Sequence, residues 1–148
     1  NSGGCTLAGN TVSDTDHYGI HLDSSSNCIL TANAISDTYY EGICVYQSNG
    51  STLDSNTISN ATDGIYLYYS GGCNLAGNRI LDTYDDGIYM YESDSCTLSG
   101  NEISDSPYGL YITSSDYCTL TGNMVSNANY GLSMYYSTGT VLRNNTAS

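Results

Sequence analysis

Cysteine is the residue with the widest chemistry in this chain, which contains six cysteines among 148 residues. Five of them recur at intervals of 22 or 23 residues, or of two such intervals. A thiol can pack as a small apolar group, form a disulfide or ligate a soft metal. Zinc sites use closely spaced ligand pairs, so this spacing favours packing, with disulfides between neighbouring repeats as the alternative. The five are Cys5, Cys28, Cys73, Cys96 and Cys118.

Cys44 falls outside that column. It lies between Ile43 and Val45, whose side chains we expect to point inward, so the Cys44 thiol is predicted to point outward. An exposed cysteine in a secreted protein indicates an intermolecular disulfide. His21 is predicted to lie one repeat away, and together with Cys44 it would provide the ligands of any soft metal. A histidine on a polar face is more often simply solvated.

Acidic side chains are the other groups that can do chemistry. Glu41, Asp63, Asp85 and Asp86 all come just before a recurring glycine, and an oxygen-rich edge of this kind can collect calcium. Glycoside hydrolysis needs one defined pair of carboxylates, and the sequence offers many pairs without singling one out. We therefore predict no catalytic residues, no enzyme activity and no cofactor other than structural Ca²⁺.

A repeat of 22 or 23 residues must position all of these groups. Within each repeat apolar residues alternate, as in Ile20 and Leu22, which is the period of a β-strand. A fixed period of this length is typical of a solenoid. One leucine and one asparagine mark each repeat. The leucines are Leu7, Leu30, Leu53, Leu75, Leu98, Leu120 and Leu142, and the asparagines are Asn10, Asn33, Asn56, Asn78, Asn101, Asn123 and Asn145.

The fold that follows is an all-β, right-handed, single-stranded parallel β-helix with six coils and part of a seventh. Coils stacked about 4.8 Å apart would turn every repeat position into a column of like residues. The leucines would form one wall of the core. The asparagines would occupy a corner in the left-handed conformation and bond along the stack. We expect one domain over residues 1–148, uncapped at both ends.

Tyrosines fall in two neighbouring columns on the outside of the predicted solenoid. So large an aromatic patch indicates a partner, either sugar rings or another copy of the chain. Self-association is the preferred interpretation, because one periodic ladder matches another. The predicted interaction face consists of Tyr46, Tyr66, Tyr68, Tyr89, Tyr91, Tyr111 and Tyr135.

Composition limits the remaining partners. The formal net charge is −13, with 2 basic against 15 acidic residues, which argues against nucleic acid and against anionic lipid surfaces. No apolar run is long enough to insert into a membrane. Sequons at Asn49, Asn60 and Asn144 are compatible with glycosylation of an extracellular protein.

The phrase Gly-Asn-x-Ile-Ser-Asp, followed by Tyr-Gly-Leu-Tyr-Ile, is clearest between Gly100 and Ser115. It resembles the parallel β-helix repeats of NosD-like and carbohydrate-binding or sugar-hydrolase domains, and the resemblance covers the whole chain. It implies a secreted or surface protein of an archaeon or bacterium, architectural or acting on polysaccharide. The composition is also similar to that of archaeal sheath and surface-layer proteins. We expect an extracellular structural protein that self-assembles into a filament, sheath or surface layer. The alternative is a carbohydrate-binding module or a fragment of a polysaccharide-active enzyme.

Overall fold

The computed structural model describes residues 3–148, which contain twenty short β-strands and no helix. No segment in this range is therefore a helix long and apolar enough to span a bilayer. In chain order the strands are β1 (Thr6–Ala8), β2 (Thr11–Thr15), β3 (Ile20–Asp23), β4 (Ile29–Thr31), β5 (Ala34–Thr38), β6 (Ile43–Tyr46), β7 (Thr52–Asp54), β8 (Thr57–Ser59), β9 (Ile65–Tyr68), β10 (Asn74–Ala76), β11 (Arg79–Leu81), β12 (Asp86–Tyr91), β13 (Thr97–Ser99), β14 (Glu102–Ser104), β15 (Tyr108–Thr113), β16 (Thr119–Thr121), β17 (Met124–Ser126), β18 (Tyr130–Tyr135), β19 (Val141–Arg143) and β20 (Thr146–Ala147).

Three parallel sheets run along the solenoid, and each coil adds one strand to every sheet. Sheet A has the order β1-β4-β7-β10-β13-β16-β19, sheet B the order β2-β5-β8-β11-β14-β17-β20, and sheet C the order β3-β6-β9-β12-β15-β18. In sheet A Leu30 is in register with Leu7 on one side and Leu53 on the other. The predicted β-helix of six coils and part of a seventh is confirmed.

The core is a narrow column of aliphatic side chains between the three sheets. Leu53, Ile58 and Leu67 come from sheets A, B and C of one coil, and all three are fully buried. Side chains alternate between inside and outside along the strands, which is why a period of two in the sequence located them. The last leucine of the column, Leu142, is 48% exposed.

A ladder of asparagines fills the corner between sheets A and B. Asn56 Nδ2 donates to Asn78 Oδ1 in the next coil at 3.0 Å and to the carbonyl of Leu30 in the coil before, also at 3.0 Å. The Asn56 backbone N–H donates to the same Asn78 oxygen. These buried amides therefore satisfy one another along the stack, as predicted.

The predicted backbone conformation of this corner is wrong by one residue. The left-handed residue is the one before each ladder asparagine, for example Ala32 at φ 51° and Gly77 at φ 59°. The ladder asparagines themselves do not adopt the left-handed conformation, because their amides must point inward to bond along the stack. The turn itself is made by the preceding exposed residue.

Glycines before strands of sheet C are required by close packing. A Cβ on Gly64 would lie 2.4 Å from Ile80 Cγ2 and 2.5 Å from the carbonyl oxygen of Gly87. A glycine at this position therefore allows sheet C to approach the side chains of sheet B closely. The residue before each such glycine is held in place by this packing.

Candidate functional site

The outer face of sheet C contains the predicted tyrosine columns, and we call their seven members the tyrosine face. In register, Tyr66 lies against Tyr89 in one column and Tyr68 against Tyr91 in the next. Alternation along β9 and β12 turns these rings outward while Leu67 and Met90 point into the core. The face consists of Tyr46, Tyr66, Tyr68, Tyr89, Tyr91, Tyr111 and Tyr135.

The rings of the tyrosine face stack on one another. Tyr68 lies 5.0 Å from Tyr91 with an interplanar angle of 15°, and Tyr66 lies 5.0 Å from Tyr89 at 30°. The rings lie on the outside of the solenoid; six of the seven are half-buried, and Tyr135 is exposed. Because the flat sides cover one another, the interior of each stack presents ring edges and hydroxyls to a partner.

A cleft opens where the stacks give way to shorter side chains in the first two coils. In register, the column of Tyr66 continues backwards through Cys44 to His21, and neither of these fills the space of a tyrosine. The cleft has a volume of about 540 Å³. It is lined by Tyr18, His21, Asp23, Glu41, Cys44, Tyr46, Tyr66 and Tyr68, and we call it the tyrosine cleft.

Cys44 forms part of this cleft, and its predicted exposure is wrong. The residue is only 5% exposed, because the longer side chains around it cover the short thiol although it points outward from the strand. Burial, with the nearby acidic groups Glu41 and Asp23, raises the pKa of Cys44 to about 12. A covered thiol is hard for a second chain or a metal ion to reach. The intermolecular disulfide and the His21–Cys44 metal pair therefore stay predictions that the burial of Cys44 does not favour.

The protonation of the cleft is set by burial and by excess negative charge. Burial raises the pKa of the Glu41 carboxyl, and the Glu41 Oε2 atom is buried without a hydrogen-bond partner. Burial also raises the pKa of the Tyr66 and Tyr18 hydroxyls. The cleft therefore offers tyrosine hydroxyl donors beside carboxyl oxygens that can accept hydrogen bonds, which suits the recognition of a hydroxylated ligand.

Arginine side chains are absent from sheet C. The two arginines of the sequence, Arg79 and Arg143, lie in β11 of sheet B and β19 of sheet A. His21 is therefore the one basic side chain that lines the cleft.

Glu41, Asp63 and Asp86 occupy the same repeat position in three successive coils, and we call them the acid column. Backbone pairing through Gly42 and Gly64 stacks them, with the Gly42 N–H donating to the Asp63 carbonyl. Burial raises the pKa of Asp63 to about 6, with Glu41 and Asp85 adding to it. Burial and the charges of Asp63 and Asp85 raise the pKa of Asp86 to about 8.

Carboxylate oxygens of Asp63, Asp85 and Asp86 lie within 4.8 Å of one another. The sequence located these acids through their position before the recurring glycine. It did not show that Asp63 and Asp86 are buried, at 8% and 6% exposure, since burial depends on how loops of adjacent coils cover them.

The cysteine column divides into a bonded and a free part. Cys5 and Cys28 form a disulfide between the first two coils. Cys73, Cys96 and Cys118 are free, buried thiols that pack in the core, as predicted for the whole column. In the third coil Ser51 occupies the position of the cysteine, so the column of thiols is interrupted there.

All three predicted glycosylation sequons lie on the surface. Asn49, Asn60 and Asn144 are exposed at turns between strands. Their positions leave room for a glycan, and modification itself stays a prediction.

Comparison with known proteins identifies the architecture. A family model described as a right handed beta helix region matches residues 1–148. A crystal structure of the periplasmic alginate epimerase AlgG is similar with a TM-score of 0.82 and 21% identity, over 99% of this chain and 40% of that one. The chain thus spans about two fifths of the epimerase. A search of curated proteins found no match.

Two further solved structures are similar at lower scores. A glycoside hydrolase superposes with a TM-score of 0.54 at 9% identity, over 97% of this chain and 38% of the hydrolase. The Streptococcus pneumoniae surface protein and adhesin PfbA superposes with a TM-score of 0.52 at 8% identity, over 100% of this chain and 66% of the adhesin. At these identities the likeness concerns the fold, including its right-handed winding.

Proposed function

The chain belongs to the family of right-handed β-helix regions, and we propose that it is a carbohydrate-binding segment whose site is the tyrosine cleft. The observation that carries this proposal is the cleft itself. Its volume of about 540 Å³ is within the range of small-ligand sites. It combines aromatic walls with hydroxyl, imidazole and carboxylate groups, which is the mixture that a sugar ring requires.

The sugar is proposed to bind along the mouth of the cleft. The stacked interior of the tyrosine face offers edges and hydroxyls, whereas the rings of Tyr18 and Tyr66 border open space. One sugar ring can therefore pack against an aromatic wall while Glu41 and Asp23 accept hydrogen bonds from its hydroxyls. Further sugar units would follow the row of hydroxyls along sheet C.

A neutral saccharide is favoured over an acidic one. The net charge is −13, and neither arginine lies in sheet C, so a polyuronate would meet repulsion with no guanidinium to offset it. This distinguishes the proposed ligand from the alginate named for the epimerase of similar fold.

An extracytoplasmic location belongs to the same proposal. The solved structures of similar fold include a periplasmic protein and a surface protein. The Cys5–Cys28 disulfide also favours an oxidising compartment. A saccharide-binding segment located there would meet glycans directly.

Isothermal titration with neutral oligosaccharides, preceded by a glycan array to choose them, tests the proposal. Tyr66→Ala should weaken binding at least about fivefold, since a stacked aromatic ring contributes about 1 kcal/mol or more. Tyr136→Ala is the matched control, because this ring is 88% exposed and does not line the cleft. No binding by any neutral glycan, or equal affinity of the two variants, would refute it.

Self-association through the tyrosine face is a second candidate, and it is the one that the sequence alone favoured. At the far end of sheet C, Tyr108 stacks on Tyr130 at 4.7 Å, while Tyr130 and Tyr135 are 55% and 51% exposed. This surface offers aromatic area to a second copy. Sedimentation with electron microscopy tests it: filaments lost in Tyr135→Ala would support it, and a monomer at high concentration would exclude it.

A further inference from the structure

We propose that Asp63, Asp85 and Asp86 bind a calcium ion at the edge of sheet C. This site is distinct from the tyrosine cleft and does not depend on any saccharide. The ion would link two neighbouring coils, those of β9 and β12, and this structural role goes beyond the proposed function.

The fold brings the three carboxylates together from two coils. Asp63 lies two residues before β9, and Asp86 begins β12, the strand that pairs with β9. The Asp86 N–H donates to Asp63 Oδ1 at 2.9 Å, and the Gly64 N–H donates to the Asp86 carbonyl at 2.9 Å. The exposed side chain of Asp85 brings a third carboxylate oxygen within 4.8 Å of the other two.

An unpartnered buried oxygen points to a missing ligand. Asp86 is 6% exposed, and its Oδ1 atom is buried without a hydrogen-bond partner. A buried carboxylate with no donor is strongly unfavourable, and it is retained in proteins when it is paired or coordinates a metal. Arg79 and Arg143 lie in the other two sheets, so no side-chain cation of this chain compensates it.

Calcium fits this donor set best. The ligands are all oxygens, which hard cations prefer, and Ca²⁺ accepts 6–8 of them in flexible geometry at about 2.3–2.6 Å. Two oxygens bound to one such ion can therefore be up to about 5 Å apart. The carboxylate oxygens of Asp63, Asp85 and Asp86 satisfy this condition, because they lie within 4.8 Å of one another. Mg²⁺ needs shorter, octahedral contacts of about 2.1 Å, which a cluster fixed by two β-coils is poorly placed to provide.

Thermal unfolding of the EDTA-treated protein, with and without CaCl₂ and in the absence of saccharide, tests the site. Calcium in excess should raise Tm by about 5 °C or more, and MgCl₂ should raise it much less. Calorimetry should give a single Ca²⁺ site per chain. Asp86→Asn should abolish both the Tm shift and the binding heat.

Asp82→Asn is the matched control, because it removes the same charge from the same coil at an exposed turn. Asn60 occupies the equivalent position one coil earlier, so the asparagine is compatible with that backbone. This control should keep the full calcium response. Circular dichroism checks that both variants fold; if Asp86→Asn does not, Asp85→Asn should weaken Ca²⁺ binding at least about tenfold.

A wild-type Tm unchanged by calcium would overturn the proposal, as would an equal calcium response in Asp86→Asn. In either case the orphaned Asp86 oxygen would be compensated by a proton. Saccharide binding is measured separately, so failure of this site leaves the tyrosine cleft unaffected.

Discussion

The asparagine ladder and the acid column are both stacks of polar side chains repeated once per coil, and they behave in opposite ways. Asn101 is fully buried, and its Nδ2 donates to Asn123 and to the Leu75 carbonyl. Asp86 is almost as buried, yet one of its oxygens has no partner. An amide is both donor and acceptor, whereas an ionised carboxylate only accepts. A stack of amides can therefore satisfy itself, and a stack of carboxylates requires a proton or a cation.

This difference separates scaffold from candidate site. A column that satisfies itself is explained by stability alone. A buried column that does not satisfy itself destabilises the fold and so indicates something that binds there. Three changes would test how far that distinction holds.

The largest loss of stability should come from replacing an amide of the asparagine ladder by a carboxylate like those of the acid column. Asn78→Asp removes the hydrogen bonds that Nδ2 donates to the Leu53 carbonyl and to Asn101 Oδ1. It also places a carboxylate oxygen that has no donor against those two buried acceptor oxygens. We expect a loss of about 4 kcal/mol in the free energy of unfolding, measured by urea denaturation.

Asn49→Asp is the control for that change. Asn49 is exposed, and its Oδ1 accepts the Gly71 N–H, a bond that aspartate can keep. Asp94 accepts the Asp116 N–H in this way two coils later. The control should cost no more than about 0.5 kcal/mol. Equal stability of the two variants would show that the ladder bonds contribute little.

A smaller effect is expected from titrating the acid column in metal-free protein. The folded-state pKa is about 8 for Asp86 and about 6 for Asp63, both above the value of about 4 in an unfolded chain. The native state then holds protons that the unfolded state has released. Stability should therefore be greatest near pH 4 and decrease steadily as the pH rises to about 8.

Denaturation across this pH range, in EDTA, measures that loss. The acidic and tyrosine groups around the pair are Glu41, Asp85, Tyr89 and Tyr108, and none of them supplies a compensating charge. Asp86→Asn should remove most of the pH dependence and stabilise the metal-free protein at pH 8. A stability that rises with pH between 4 and 8 would contradict the raised pKa values.

The smallest effect should come from the free part of the cysteine column, because Ser51 already occupies one position of that column. Cys96 Sγ accepts the Cys73 N–H at 3.3 Å, and Ser51 Oγ accepts the Cys28 N–H at the same distance. Cys96→Ser keeps this acceptor, so we expect a loss of at most about 1.5 kcal/mol in urea. A larger loss would mean that packing of the thiol outweighs its hydrogen bonding.

The columns were predictable from the sequence because their members recur every 22 or 23 residues, which can be read directly from the chain. Leu30 lies between Leu7 and Leu53 as the period requires, and the asparagines bond along the stack as expected. Cys44 shows where this reasoning stops. Its outward direction followed from alternation, but whether an outward side chain is exposed depends on how long its neighbours in adjacent coils are.

The residues of the candidate sites were predictable from the sequence, but the arrangement of their side chains was not. The tyrosines of the interaction face and the acids before the recurring glycine were identified by number. That the tyrosines would stack flat on one another, and leave a cleft beside His21, was not. These features depend on side-chain conformations across coils, about 22 positions apart in the chain.

The sequence by itself determined the coil length and the leucine, asparagine, cysteine and tyrosine columns, because residues one repeat of 22 or 23 apart lie over one another in a solenoid. Only the tertiary structure decided which outward groups are covered and which polar atoms lack partners. Burial and hydrogen bonding are set by contacts between coils, and these depend on the positions where the repeat varies.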